Sequence, residues 1–276
     1  MTSANASKTT VLVGEGPALL ELHADGVAHL RLNRPDAANG LDMAMLKGLH
    51  EVVMRIHGDS RVRCVLLTGE GKNFCAGGDV HVFLDKGADL PDYIRVATSY
   101  LQIIAGLLMH LNAPVVAAVQ GFAAGGGGMG LVCSSDMVIA GASAKFLAGA
   151  TRVAMVPDAG VSVTLTQLVG LRKAMEILML NPVITSGEAL AMGLINRVVP
   201  DDQLLQEGLA LARQLAQGAP AALAATKRLL YSGLGQSVEA AMPEENRTQA
   251  QLCGMADALE GLSAVIEKRA PKFTGR

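Results

Sequence analysis

A mixed α/β core running to about residue 200, followed by a wholly helical part, is the architecture encoded in this chain of 276 residues, and three features point to it. Short apolar runs of strand length, RCVLLTG (63–69), PVVAAV (114–119) and MVIA (137–140), are each bounded by Gly, Pro, Asn or Asp. Longer segments with apolar residues at helical spacing lie between them. Beyond LINRVVP (194–200) only the helical period remains.

Taken in order, Leu19 to Ala24 and Val27 to Asn33 alternate apolar and polar residues on either side of the turn pair Asp25-Gly26, which predicts a β-hairpin. Leu41 to His57 carries a helical pattern with Asp42 as its N-cap. RCVLLTG is a buried strand that feeds the loop EGKNFCAGGD, and a helix over about Tyr93 to Leu111 leads to the second buried strand, Val115 to Val119. The glycine cluster QGFAAGGGGMG (120–130) then opens another helix. Strand MVIA is followed by an irregular stretch to Pro157 and by a helix from Asp158 or Ala159 to Val169-Gly170. LINRVVP supplies one last strand, and Asp201 to Gln217, Pro220 to Ser232, Val238 to Leu252 and Met255 to Arg269 read as helices. The division that follows is a loose tail over 1–17, a core over 18–200 and a helical region over 201–276.

Composition removes several function classes. A formal net charge of −2 and the lack of any long Lys/Arg run provide no field for nucleic acid. Val96 to Ser135 contains no charged residue, but Asn112, Pro114 and the glycines cut it into pieces of globular length, so a buried core or subunit interface is expected rather than a membrane span. Cys64, Cys75, Cys133 and Cys253 form no CxxC pair and have no histidines at ligand spacing. No metal site or disulfide framework is expected, and the reducing cytoplasm is the expected compartment.

So many glycines mark backbone that must come close to something. Gly125, Gly127 and Gly130 satisfy GxGxxG, yet strand MVIA starts only seven residues after Gly130 and ends in Ala-Gly instead of an acid, which leaves no room for a dinucleotide-binding crossover. Two units of one kind, VLLTGEGKNFCAGGD and VVAAVQGFAAGGGGMGL, each run a buried strand into small residues. Neighbouring strands of this sort can aim one N–H from each loop at a single point, and a helix N-terminus adds its positive dipole end. Two such donors make an oxyanion hole; the competing reading is that the glycines only permit turns and close packing.

LRLNRPDAANGLDMAML, VLLTGEGKNFCAGGD, APVVAAVQGFAAGGGGMGLVCSSDMVIA, KFLAGATRVAMVPDAG, TSGEALAMGLINRVVP and EKRAPKFTGR together resemble the crotonase (enoyl-CoA hydratase/isomerase) superfamily, in its order, from about residue 18 to the C-terminus. The resemblance implies a spiral of ββα units, a helical C-terminal trimerisation region, homotrimers or dimers of trimers, and an acyl-CoA thioester substrate with coenzyme A as part of the substrate and no separate cofactor. It places one oxyanion N–H at Gly78 and the backbone of Ala76 near the adenine. The second donor is Gly127 when counted back from Asp136, or Gly126 when counted forward from Gln120-Gly121; Gly127 is favoured. Lys268 and Phe273 fit positions that touch coenzyme A, sometimes from a neighbouring subunit, though an exposed lysine and a packed phenylalanine would look the same.

Hydratases of the superfamily hold water between two glutamates, whereas the matching positions here are Gly130 (or Met129) and Ala150, neither of which transfers a proton. The remaining acid is Asp158 in MVPDAG, a motif similar to that of ring-epoxide isomerases of phenylacetyl-CoA breakdown and of dienoyl-CoA isomerases. Flanked by Val153, Met155, Val156 and Pro157, its carboxyl is expected to be desolvated, with a raised pKa suited to proton transfer; capping the following helix is its plainer role. The expected activity is isomerisation of an enoyl-CoA double bond or a ring epoxide, with Asp158 as acid/base. The alternatives are an enoyl-CoA hydratase using Asp158 and an unusual water site, and an acyl-CoA-binding homologue without catalysis. Cys75 reads as inert, His81 as surface or packing in preference to facing the acyl pocket, Asp79 as orienting its loop, and Glu70, Asp85 and Glu188 as solvated or turn residues.

Overall fold

A seven-stranded sheet forms the centre of the molecule, in the order β1-β2-β3-β4-β5-β7-β10, and a three-stranded sheet β6-β8-β9 stands beside it. The computed structural model describes residues 9–276. The strands are β1 (Thr10–Val13), β2 (Ala18–Leu22), β3 (Val27–Leu32), β4 (Cys64–Gly69), β5 (Val115–Val119), β6 (Phe122–Ala124), β7 (Met137–Gly141), β8 (Lys145–Leu147), β9 (Ile184–Thr185) and β10 (Arg197–Val199). The helices are α1 (Met43–Gly58), α2 (Val80–Lys86), α3 (Leu90–His110), α4 (Gly125–Cys133), α5 (Val161–Val169), α6 (Leu171–Leu180), α7 (Ser186–Ala191), α8 (Leu204–Ala216), α9 (Pro220–Gly233), α10 (Val238–Cys253) and α11 (Ala256–Glu267).

The hairpin β2–β3 is antiparallel and turns at Gly26, whose φ of 85° suits glycine. From β3 onward the large sheet is parallel, so each crossover must carry a helix or long loop. Two crossovers repeat one plan: β5 passes to β6 and α4, and β7 passes to β8 and α5. After β4 the small-sheet position is taken by a single parallel bridge from Cys75 to Ala123, ahead of α2. These are the ββα units of the expected spiral.

Alternation in the strands divides the core into two. Val65 and Leu67 of β4 face α1 and α3, while Cys64 and Leu66 face α8, where Val27, Val116, Ala118 and Ile139 meet Leu204, Leu211 and Ala212. Buried on both faces, the parallel strands had to be continuous apolar runs. The C-terminal helices are tied to this core by a buried pair: Lys227 Nζ of α9 lies 2.7 Å from Asp136 Oδ2 and donates to the Leu108 carbonyl at 2.8 Å.

Several expectations change. The tail over 1–17 is not loose throughout: Thr10–Val13 is an edge strand paired with β2, and residues 1–8 lie outside the described residues. The stretch before Pro157 contains β8, and α2, α6 and α7 were not anticipated. α5 starts at Val161 with Gly160 as its N-cap, so Asp158 does not cap it; only the Asp158 carbonyl is used, accepting from Val161 N–H at 2.9 Å. Asp42 caps α1 as expected, accepting from Met45 N–H at 2.8 Å. No helix among the described residues is long and apolar enough to cross a membrane.

Glu188 has a defined role. It closes a capping box on α7, taking the Thr185 N–H at 2.8 Å while Thr185 Oγ1 accepts from Glu188 N–H at 3.3 Å. Thr185→Ala is expected to cost about 1 kcal/mol, read from the urea midpoint at unchanged slope.

Candidate active site

The two glycine loops meet because β4 and β5 are neighbours and their extensions pair. Phe74 N–H donates to the Gln120 carbonyl (2.9 Å), Cys75 N–H to Phe122 (3.1 Å), and Ala124 N–H to Cys75 (2.8 Å). Past this ladder Gly77, with a φ of 92°, is pressed against the second loop: a Cβ there would stand 2.7 Å from the Ala124 oxygen and 2.9 Å from the Gly125 Cα. No other residue meets both demands.

Gly78 follows. The Gly77 carbonyl accepts from Leu41 N–H (2.7 Å) and Asp79 N–H donates to the Leu41 carbonyl (3.3 Å), yet the Gly78 N–H between them has no acceptor among the described residues. Opposite it α4 begins at Gly125, so its first intrahelical bond runs from Gly128 N–H, and those of Gly125, Gly126 and Gly127 have no partner within the helix. The positive end of the α4 dipole thus faces the free Gly78 N–H, which favours anionic oxygen.

Both loops open into a cavity of about 770 Å³. Its wall is largely apolar, and Leu41, Phe83, Ile94, Leu101, Met155 and Val156 contribute to it. Among the described residues Asp158 is the only carboxylate that lines it. Asp158 Oδ1 is buried without a hydrogen-bond partner, and burial pushes the carboxyl above the usual range.

What holds Asp158 there is the bare face of α4. A Cβ at Gly126 would land on Asp158 Oδ1, and one turn further on a Cβ at Gly130 would stand 2.6 Å from the Cβ of Ala159. Residues four apart share a helix face, so the Asp158-Ala159 turn lies along a groove that only glycines leave open. The same contact removes any acid from position 130; Met129 is 1% exposed in the core, and Ala150 lines the cavity without a proton-transferring group.

Of the residues selected from sequence, Ala76, Gly78, Gly126, Gly127 and Asp158 line this one cavity. Lys268 and Phe273 do not: Lys268 ends α11, and Phe273 packs near Gly261 while its carbonyl accepts from Arg63 at 3.1 Å. In this chain they sit away from the cavity. Cys75 is buried, donates to the Asn39 carbonyl and has its thiol pushed up to about 12 by burial, as befits an inert residue. His81 is exposed at the start of α2, and Asp79 is that helix's N-cap.

Two further residues shape the site. The Phe83 ring lies directly on the Cα of Gly78, where an added Cβ would come within 2.8 Å of Cε2. Among the described residues Arg152 is the only cation on the cavity wall, and its guanidinium is turned to the Asn181 carbonyl. Phe83 stands only five residues beyond Gly78, whereas Arg152 in ATRVAM has no local signature and becomes a neighbour of the site only through the crossovers.

Comparison with known proteins agrees with this geometry. Residues 23–276 match the family model described as enoyl-CoA hydratase/isomerase. A Rhodobacter capsulatus protein named "probable enoyl-CoA hydratase" is 37% identical over 253 residues, covering 92% of this chain and 96% of its own. The 1,2-epoxyphenylacetyl-CoA isomerase of Escherichia coli is 33% identical over 255 residues, with 91% and 96% covered. Among solved structures, an enoyl-CoA hydratase from Bacillus anthracis superposes with a TM-score of 0.87 at 30% identity, covering 97% of this chain and 99% of its own.

Proposed function

The chain belongs to the enoyl-CoA hydratase/isomerase family, and from that premise we propose that it isomerises an enoyl-CoA double bond, or a ring epoxide of an acyl-CoA, with Asp158 as its one acid/base. The observation that carries this reading is that Asp158 is the only carboxylate on the cavity among the described residues, while positions 129, 130 and 150 hold Met, Gly and Ala.

For a 3-enoyl thioester the steps balance within one carboxyl group. The thioester oxygen accepts from Gly78 N–H and from the first turn of α4, at Gly127 or its neighbour Gly126. Asp158 takes a proton from the α-carbon, and the electron pair spreads into a dienolate whose charge rests on that oxygen. The same proton returns from Asp158 to the γ-carbon, leaving a 2-enoyl thioester. No water is added, so no second acid is required.

The apolar cavity wall suits an uncharged acyl chain or ring. The exposed Leu230, Val238, Leu259, Leu262, Val265 and Ile266 of the C-terminal helices support homotrimers or dimers of trimers, because single chains rarely leave so much apolar surface to water. Light scattering reads that state. The three buried free thiols, Cys64, Cys75 and Cys133, accord with a cytoplasmic enzyme.

The deciding experiment incubates the protein with 3-hexenoyl-CoA, crotonyl-CoA and a dienoyl-CoA in deuterated and in heavy-oxygen water. Conversion of 3-hexenoyl-CoA to its 2-enoyl isomer without added oxygen is expected, with deuterium entering to the extent that the Asp158 proton exchanges with solvent before its return; gain of oxygen makes the protein a hydratase, and no conversion of any thioester makes it a binding homologue. The pH profile of kcat/KM adds a check. Activity requires ionised Asp158 and burial raises its pKa, so the rate should climb with pH through a limb above the ordinary aspartate value of 3.8.

A further inference from the structure

The segment from Arg34 to Asp42, between β3 and α1, holds the loop that presents Gly78. Ala76 N–H donates to the Ala38 carbonyl at 3.0 Å, Leu41 N–H to Gly77 at 2.7 Å, and Asp79 N–H to Leu41 at 3.3 Å. These bonds occupy the backbone groups on both sides of Gly78. The direction of the free N–H between them therefore follows the position of Leu41.

Leu41 is apolar and cannot anchor itself; its neighbours are anchored by a single side chain. Arg34 Nη1 donates to the Gly40 carbonyl (2.8 Å), Arg34 Nη2 donates to Asp79 Oδ2 (2.9 Å), and that same Nη2 lies 3.3 Å from Asp42 Oδ2. Asp42 caps α1 and Asp79 caps α2, so the guanidinium joins two helix starts to the peptide before Leu41. The Arg34 side chain is 27% exposed and that of Asp79 11%, a setting in which a charged hydrogen bond is only partly screened. Arg34 is itself fixed: its N–H donates to Asn39 Oδ1 (2.8 Å), and Asn39 Nδ2 donates to the Glu70 and Asn73 carbonyls (2.9 and 2.8 Å) of the same loop.

We propose that Arg34 is a positioning residue for catalysis, setting through Gly40, Leu41 and Asp79 the direction in which Gly78 donates to the thioester oxygen. This rests on the reading of Gly78 as an oxyanion donor. The fork geometry is essential to it, because a lysine ammonium at the same place can satisfy one arm and not both in a fixed plane. A donor turned aside weakens its hold on a developing enolate more than on a neutral thioester, so kcat should suffer and binding should not.

The test compares wild type, Arg34→Gln, Arg34→Lys, Asp79→Asn and the Arg34→Gln/Asp79→Asn double variant. Three quantities are read: kcat on 3-hexenoyl-CoA, Kd for saturated hexanoyl-CoA, and the fraction of bound acetoacetyl-CoA that is enolised, seen by ultraviolet difference. Arg34→Gln should lower kcat by about 10- to 100-fold and reduce the enolised fraction, with Kd changed by less than about 3-fold. Arg34→Lys should recover part of both losses, and the double variant should be little worse than Arg34→Gln alone, as for two halves of one contact. Arg34→Gln with wild-type kcat and enolisation overturns the proposal and leaves the functional reading standing. Loss of kcat matched by loss of binding and melting temperature, without recovery in Arg34→Lys, also overturns it, because Arg34 is then simply structural. A wild type that neither turns over nor enolises removes the functional reading and this role with it.

Discussion

Asp158→Asn is expected to lower kcat by about 10²- to 10⁴-fold, the range of a positioned acid/base, while acyl-CoA still binds and the protein melts at a higher temperature. The first part follows from the site's inventory: with Asp158 replaced, no carboxylate remains on the cavity among the described residues. The second follows from the orphaned Oδ1, whose burial disfavours the ionised form. Because the folded-state pKa is raised, Asp158 adds stability that is complete below the unfolded value of 3.8 and is lost as pH rises through the folded value. At neutral pH the carboxylate is therefore a burden that the neutral amide of the same shape relieves. The melting-temperature gap between variant and wild type should open as pH rises through that window and then stay level. Equal kcat in wild type and Asp158→Asn would remove Asp158 from the mechanism, and a variant that melts lower at neutral pH would mean that its carboxylate has a partner.

Much of this arrangement was legible before any coordinates. β4, β5 and β7 are buried on both faces, so each had to be a short continuous apolar run, and RCVLLTG, PVVAAV and MVIA read as strands for that reason. The hairpin turn at Gly26 and the cap at Asp42 rest on local chemistry and were equally clear. The misses share a physical cause, in that their order comes from contacts distant in the chain. β1 has little pattern of its own and is a strand only because β2 offers it an edge. β8 is a three-residue strand given its place by β6 and β9. Asp158 showed as an acid in an apolar setting, but not as an acid lying on Gly126, since that contact joins residues 32 positions apart. The Gly126 and Gly130 pair could have suggested a groove on α4; nothing local says what fills it.

Gly126→Ala puts that contact to the test and is expected to separate activity from stability. Gly126 has an ordinary helical φ, so alanine there should favour α4 by up to about 1 kcal/mol on propensity alone. Its Cβ would fall on the Asp158 carboxylate, the free end of a flexible side chain that can rotate away at small cost. The fold should therefore survive, with a melting temperature equal to or above that of wild type. The base, however, is displaced by about the width of a methyl group, and a shift of that size costs on the order of 10²-fold in rate. Gly128→Ala is the control with the opposite balance: its Cβ meets the Cys75 carbonyl and the backbone of Ala123, which cannot move without breaking the ladder between the two loops, so it should unfold at lower temperature. If Gly126→Ala keeps wild-type kcat, Asp158 does not need its place on α4 to work; if it melts as low as Gly128→Ala, Asp158 is held too rigidly to rotate, and the bare face of α4 serves packing before it serves chemistry.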